Sequence, residues 1–276
     1  MIKIITDNGA DLPIELLREK HIDVVPLGVR MEGYDEEYLS KLDGKDFWEA
    51  VTNSSTPPKT SAPAPGVFAE LFGAAQQEGY DGALCITIAA GFSSTYESAV
   101  VGAKAVENFP IEVIDSKSVT LGEGLLVLFA QELAEEGRTL TEIADLVKEK
   151  REKVKIVALF DTLEYLRLGG RIGPLSSMIG SLLSVKPIIE VSLGGLKSLG
   201  KQRTKARAIE FLITLLKETN DIDKVAVVHS GAADISRVFE QVSEITGQKE
   251  ILLSYIGPIV GAYSGPGAIG FCIMEK

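Results

Sequence analysis

Three successive hydroxyls, Ser93, Ser94 and Thr95, follow Gly91 in the stretch I-A-A-G-F-S-S-T-Y-E-S-A, Ile88 to Ala99. The apolar run before them reads as a strand and the residues after them as a helix. A strand–turn–helix connection of this kind aims unpaired backbone N–H groups and the positive helix end at one point. Added hydroxyls turn that point into a cradle for a carboxylate or a phosphate. A plain helix cap is the simpler alternative, and it needs only one of the three hydroxyls. A nucleophile turn is the third: Gly91 and Ser93 stand in the right order, but Thr95 occupies the second glycine of G-x-S-x-G. The base for such a serine would have to be His229, which closes its own apolar run in V-V-H-S-G. No Gly-Lys-Ser/Thr follows, so a nucleotide-binding P-loop is excluded.

Other hydroxyls sit in similarly constrained surroundings. In K-T-S-A-P-A-P-G, Thr60 and Ser61 precede Pro63 and Pro65, and prolines restrict the backbone at themselves and at the residue before. Tyr263 and Ser264 stand just before a Gly-Pro turn in Y-S-G-P-G-A-I-G. Basic residues concentrate in L-R-L-G-G-R-I-G and L-G-G-L-K-S-L-G-K-Q-R-T-K-A-R, where Arg171 and Arg203 are candidates to face an anionic head. The remainder belong to solvated surface or to a docking face for an acidic partner. Two segments, Leu121–Leu133 and Leu175–Leu183, are apolar on nearly every side. A helix apolar all round is buried in a larger body. Gly122 and Gly124 cost the first of these roughly 1 kcal/mol each against alanine, which points to close approach of a backbone or a ligand. An anion site beside so much apolar surface suits a ligand with a charged head and a long apolar tail.

The whole chain sets bounds on these readings. Its 276 residues are 45% hydrophobic and 24% charged, with a net charge of −11. That balance disfavours non-specific binding to nucleic acid, which depends on Lys and Arg neutralising phosphates. Two cysteines, Cys85 and Cys272, lie in strand-like apolar runs and read as buried thiols; with only two histidines there is no zinc spacing. No metal ligand set and no cofactor motif is visible. The N-terminus lacks a basic region followed by a long apolar stretch, and no apolar run reaches the length of a membrane span. A soluble cytoplasmic protein is expected.

Short β-rich runs alternate with longer helical periods throughout, the pattern of an α/β protein. Strands are expected at I-K-I-I-T-D, I-D-V-V-P-L-G-V-R-M, D-G-A-L-C-I-T-I-A, I-E-V-I-D-S, K-I-V-A-L-F-D, K-P-I-I-E-V-S, D-K-V-A-V-V-H and the C-terminal run. The polar-faced helix Thr139–Val154 leads out of a first domain. Two α/β domains follow, 1–153 and 154–276, each a β-sheet flanked by helices, with a pocket expected where they face each other.

Taken in order, T-D-N-G-A-D-L-P, T-S-A-P-A-P-G, G-F-S-S-T-Y-E-S-A, D-T-L-E-Y-L-R-L-G-G-R-I-G with L-L-S-V-K-P-I-I, G-K-Q-R-T-K-A and S-G-P-G-A-I-G resemble the DegV family of bacterial fatty-acid-binding proteins along nearly the whole chain. The resemblance implies a two-domain DegV-like fold with an acyl chain buried between the domains or within the first. It makes Thr60 and Ser93 the leading carboxylate contacts, then Ser61, Ser94 and Thr95, with Arg171 and Arg203 as basic groups near the head. It also implies a non-catalytic carrier that presents a long-chain fatty acid to a separate ATP-dependent fatty acid kinase. The alternative is an acyl hydrolase or transferase using Ser93. The family commonly reads H-T-G-P-G where this chain has Tyr263-Ser264-Gly265-Pro266-Gly267, and Ala89 and Ala90 stand where hydroxyls are usual.

Overall fold

The computed structural model describes residues 1–35, 39, 42, 44–54, 56–176 and 185–276. The apolar segment Leu175–Leu183 lies, from 177 onward, outside the described residues.

The first half builds strands β1 (Ile2–Asp7), β2 (Asp23–Val25), β3 (Gly28–Arg30), β4 (Lys59–Ser61), β5 (Gly82–Thr87) and β6 (Ile111–Asp115). Among them lie helices α1 (Ile14–Glu19), α2 (Gly44–Asn53), α3 (Pro65–Gln77) and α4 (Thr95–Ala103), with α5 (Thr120–Glu135) and α6 (Leu140–Lys150) after β6. A four-stranded sheet of order β2-β1-β5-β6 is parallel throughout. The sequence reading placed one strand over 22–31, but the chain makes two that pair in different sheets. Pro26 lies between them and has no N–H to continue a ladder, while Leu27 N donates to Asn8 Oδ1 at 2.9 Å. β3 then turns away to pair antiparallel with β4, setting Val29 opposite Thr60.

The second half holds β7 (Val154–Leu159), α7 (Glu164–Leu168), β8 (Lys186–Ser192), β9 (Gly195–Gln202) and α8 (Lys205–Glu218). It closes with β10 (Ile222–His229), α9 (Ile235–Thr246), β11 (Leu252–Tyr255), α10 (Pro258–Ser264) and β12 (Ile269–Glu275). Its sheet, of order β11-β10-β12-β7-β8-β9, is antiparallel except where β10 meets β11. Period-two alternation sorts each strand between two cores. Ile156 and Ala158 face the centre of the molecule, whereas Val157 and Leu159 pack outward with Leu212 and Leu216 of α8.

Helix α5 is the layer the two sheets share. It touches β1 and β5 on one side and β7, β10 and β12 on the other, and every residue from Thr120 to Val127 is buried. This explains its all-round apolar character, each buried leucine contributing on the order of 2 kcal/mol. Its glycines are close-approach positions, as their types suggested. A side chain at Gly122 would collide with Ser118 and one at Gly124 would meet the Ala10 carbonyl and Leu12. The Ile88–Ser93 loop is fixed in the same way, because a Cβ on Gly91 would collide with the Gly194 carbonyl at the β8–β9 turn.

Candidate functional site

A narrow cavity runs between the central face of the six-stranded sheet and the elements opposite it. The centre of a water-sized sphere moves through about 90 Å³ of it, well above the room one water needs. So small a free space bordered by twenty residues describes a slot rather than a bowl. Ile156 and Ala158 of β7, Val191 of β8, Leu196 of β9 and Val228 of β10 form its floor. Strand register makes that floor flat: Ile156 pairs across to Val191 and Val191 to Leu196, while Ala158 and Val228 flank Gly270. The opposite wall comes from Ile88 and Phe92, the start of α5, and Ile259 and Val260 of α10.

Polar groups collect at one end. Thr60 Oγ1 lies 2.7 Å from the Tyr263 hydroxyl. Thr60 faces inward because β4 alternates, and the same alternation leaves Lys59 and Ser61 exposed. The Arg171 guanidinium stacks 5.1 Å from the centre of the Tyr263 ring. Its Nε donates to the Phe92 carbonyl at 3.1 Å and its Nη1 to the Gly169 carbonyl at 2.8 Å. Ser93 Oγ sits 2.7 Å from Thr95 Oγ1. Ser94 is the N-cap residue of α4 but makes no side-chain cap bond, so the hydroxyl cluster does not serve as a helix cap.

Thr60, Ser93, Arg171, Tyr263 and Ser264 therefore line one cavity. Ser94 borders a polar recess beside it that Ser93, Arg171 and several glycines share. Thr95 is buried behind Ser93 as its hydrogen-bond partner. Ser61 lies against Gly28 and Arg203 is exposed just past β9; neither borders the cavity or the recess. Sequence reasoning missed Thr120, which lines the cavity with its hydroxyl buried beside Asp11. Its backbone is left-handed, φ 46°, a conformation rarely tolerated by a β-branched residue. It also missed helix α10, which ends at Ser264 just before the Gly-Pro turn that the sequence indicated. The floor was legible in principle, since K-I-V-A-L-F alternates Ile156, Ala158 and Phe160 on one face.

A buried acid cluster lies behind the Ile88 loop. Asp7 accepts the N–H groups of Gly9 and Ile88, both at 2.8 Å, and Thr6 Oγ1 donates to Glu123 Oε1 at 3.1 Å. Burial pushes the Asp7 carboxyl up to about 6, that of Asp11 to about 7, and that of Glu123 well above its ordinary value. An unfolded chain releases these protons near pH 4. The folded chain keeps them to higher pH, so stability falls as pH rises through that window. For Asp7 alone the loss is on the order of 3 kcal/mol. Urea unfolding is expected to show a lower midpoint at pH 8 than at pH 5, with a shallower slope in Glu123→Gln. A flat profile would contradict it.

Among the described residues, no group of three or more His, Cys, Asp or Glu side chains is placed to hold a metal. None of their helices is long and apolar enough to cross a membrane. The family model described as an uncharacterised protein of the DegV family matches residues 1–276. The chain belongs to the DegV family. Protein DegV of Bacillus subtilis is 33% identical over 282 residues, covering 98% of each chain. The crystal structure of DegV, a fatty acid binding protein from Bacillus subtilis, superposes with a TM-score of 0.88 at 30% identity, covering 100% of this chain and 99% of that one. A fatty-acid-binding DegV family protein from Thermus thermophilus gives 0.88 at 28% identity with the same coverage. In this DegV-family chain the phenol of Tyr263 reaches Thr60.

Proposed function

We propose that this protein binds one long-chain fatty acid, with the tail in the apolar slot and the carboxylate at the end formed by Thr60, Ser93, Arg171 and Tyr263. The observation that carries this reading is a cavity with an apolar floor that also holds a cluster of polar groups, Thr60, Ser93, Arg171 and Tyr263. Fatty-acid binding by the Bacillus subtilis and Thermus thermophilus relatives supports it. Each buried methylene contributes about 0.8 kcal/mol, so a long tail binds tightly with a modest contact at the head. The proposed organisation is two domains, 1–153 and 154–276, with the tail between them, in keeping with the separation of the two main sheets along the chain.

The carrier role follows from the same polarity. A free fatty acid is poorly soluble, so a cytoplasmic carrier hides the tail and leaves the carboxylate reachable. The recess at Ser93, Ser94 and Arg171 opens beside the head, which suits presentation to a fatty acid kinase. Ser93 pairs with Thr95, and His229 makes no hydrogen bond to it, so the hydrolase alternative gains no support from geometry.

Native mass spectrometry of gently purified protein should show a bound fatty acid. The double variant Thr60→Ala/Ser93→Ala should bind oleate at least a hundredfold more weakly, about the loss of two hydrogen bonds to a charged group, while keeping its melting temperature. A protein that is reproducibly empty and indifferent to oleate and palmitate refutes the reading. Labelling by a fluorophosphonate, lost in Ser93→Ala, would establish the hydrolase instead.

A further inference from the structure

Two walls of the polar recess beside the slot come from distant parts of the chain. Gly91, Phe92 and Ser93 stand on one, and Gly194 and Gly195 of the β8–β9 turn on the other. Asp115, the last residue of β6, borders neither the recess nor the slot. We infer that Asp115 is the positioning residue of the head site: its carboxylate sets both walls of the recess, and through them the place where Ser93 meets a ligand carboxylate. This rests on the reading of the slot as a fatty-acid site.

One oxygen serves both walls. Asp115 Oδ1 accepts the backbone N–H of Ala90 at 3.1 Å and that of Lys117 at 2.9 Å. Arg151 Nη1 donates to the main-chain carbonyl of Asp115 at 2.8 Å, which fixes the backbone from which the carboxylate reaches. On the first wall, the Ala90 N–H belongs to the same planar peptide as the Ala89 carbonyl. That carbonyl accepts the N–H groups of Phe92 and Ser93 at 2.9 and 3.2 Å. Holding one side of this peptide plane therefore orients the other, and the turn that carries Ser93 hangs from it. On the second wall, Lys117 has a left-handed backbone, φ 53°, which a non-glycine residue keeps only where its surroundings impose it. The bond to Asp115, two residues back, closes a side-chain turn that suits this conformation. The Lys117 carbonyl then accepts the Gly194 N–H at 2.8 Å. Gly194 in turn presses its own carbonyl so close to Gly91 that a Cβ there would collide. The circuit closes where the two walls meet. Asp7 does the corresponding work for the slot, since it holds the N–H of Ile88.

The test compares three substitutions in the full chain. Asp115→Ala removes the acceptor, Asp115→Asn keeps an oxygen in its place without the charge, and Asp115→Glu keeps the charge but moves the oxygen by a methylene. Each is titrated with oleate and with oleyl alcohol, which share a tail and differ at the head. Asp115→Ala and Asp115→Glu are expected to weaken oleate about tenfold, the scale of one or two lost hydrogen bonds, and the alcohol by no more than about twofold. Asp115→Asn should bind oleate as the native protein does. Backbone amide spectra of the ligand-free proteins give a second readout. The signals of Phe92, Ser93 and Gly194 should move together in Asp115→Ala and Asp115→Glu, return in Asp115→Asn, and leave that of Thr60 in place. The inference is overturned if oleate and the alcohol weaken equally, if Asp115→Glu restores binding and Asp115→Asn does not, or if Gly194 stays in place while Ser93 moves. A native protein that binds neither ligand refutes the fatty-acid reading instead, and the amide signals still decide whether Asp115 sets both walls.

Discussion

Ala158→Phe is expected to reduce the bound fatty acid from about one per chain to below a tenth, with little loss of thermal stability. Ala158 stands on the floor of the slot beside Gly270. A Cβ on Gly270 would already lie 3.2 Å from both Ala158 Cβ and Val228 Cγ2. Two small side chains in one row keep the floor low, and the slot runs above them. A phenyl group there occupies the space of the tail. Excluding even four methylenes removes about 3 kcal/mol of binding, more than a hundredfold in affinity. The ring fills existing free volume, so the strain that usually follows enlargement of a packed core is small. The adjacent position gives the contrast. Val157 faces the outer core with Leu212 and Leu216, and Val157→Phe should lower the melting temperature by several degrees through overpacking, about 1–3 kcal/mol, while leaving the slot open. Extracted lipid and thermal melts of the two variants separate the cases. Equal lipid content in both would show that the tail lies elsewhere.

The sequence and the structure agree most closely where one residue type had one physical use. The all-round apolar helix had to be buried in a larger body, and α5 lies between both sheets. Its glycines predicted close approach, and Ser118 and the Ala10 carbonyl are what approach them. Hydroxyls were harder to sort, because serine and threonine serve as caps, as ligands to anions and as supports for one another. Thr60 and Ser93 line the slot, whereas Thr95 braces Ser93 from behind. No local pattern separates those roles; the turn of the backbone does. The split of residues 22–31 into β2 and β3 was signalled by Pro26 and Gly28, amid Ile22, Val24, Val25 and Val29. Thr120 left no signal, since a left-handed threonine is set by the packing around it. The acids were hidden for another reason. No local pattern sets Asp7, Asp11 and Glu123 together until tertiary structure encloses them, so the proton-linked loss of stability belongs to the fold and not to any motif.

Arg171→Met is expected to lower oleate affinity by about 10- to 100-fold, the range for removing a charged hydrogen-bond donor from a buried anion. The residue has two jobs that a single affinity would confuse. Through Nε and Nη1 it ties the Phe92 carbonyl of the first half to the Gly169 carbonyl of the second. Its guanidinium face also covers Tyr263, whose hydroxyl meets Thr60. Oleyl alcohol separates tie from charge, since it carries the same tail and no carboxylate. If Arg171 acts on the head, Arg171→Met weakens oleate and leaves the alcohol nearly unchanged. If it only fastens the loop, both ligands weaken together. Arg171→Lys sharpens the test, because a lysine keeps the charge but lacks the planar fork that engages two carbonyls and stacks on an aromatic ring. Partial recovery of oleate binding, with the melting temperature of Arg171→Met, would assign the charge to the ligand and the fork to the scaffold. The geometry favours that division: two nitrogens are spent on carbonyls, while the cationic plane rests on the ring nearest the polar end of the slot.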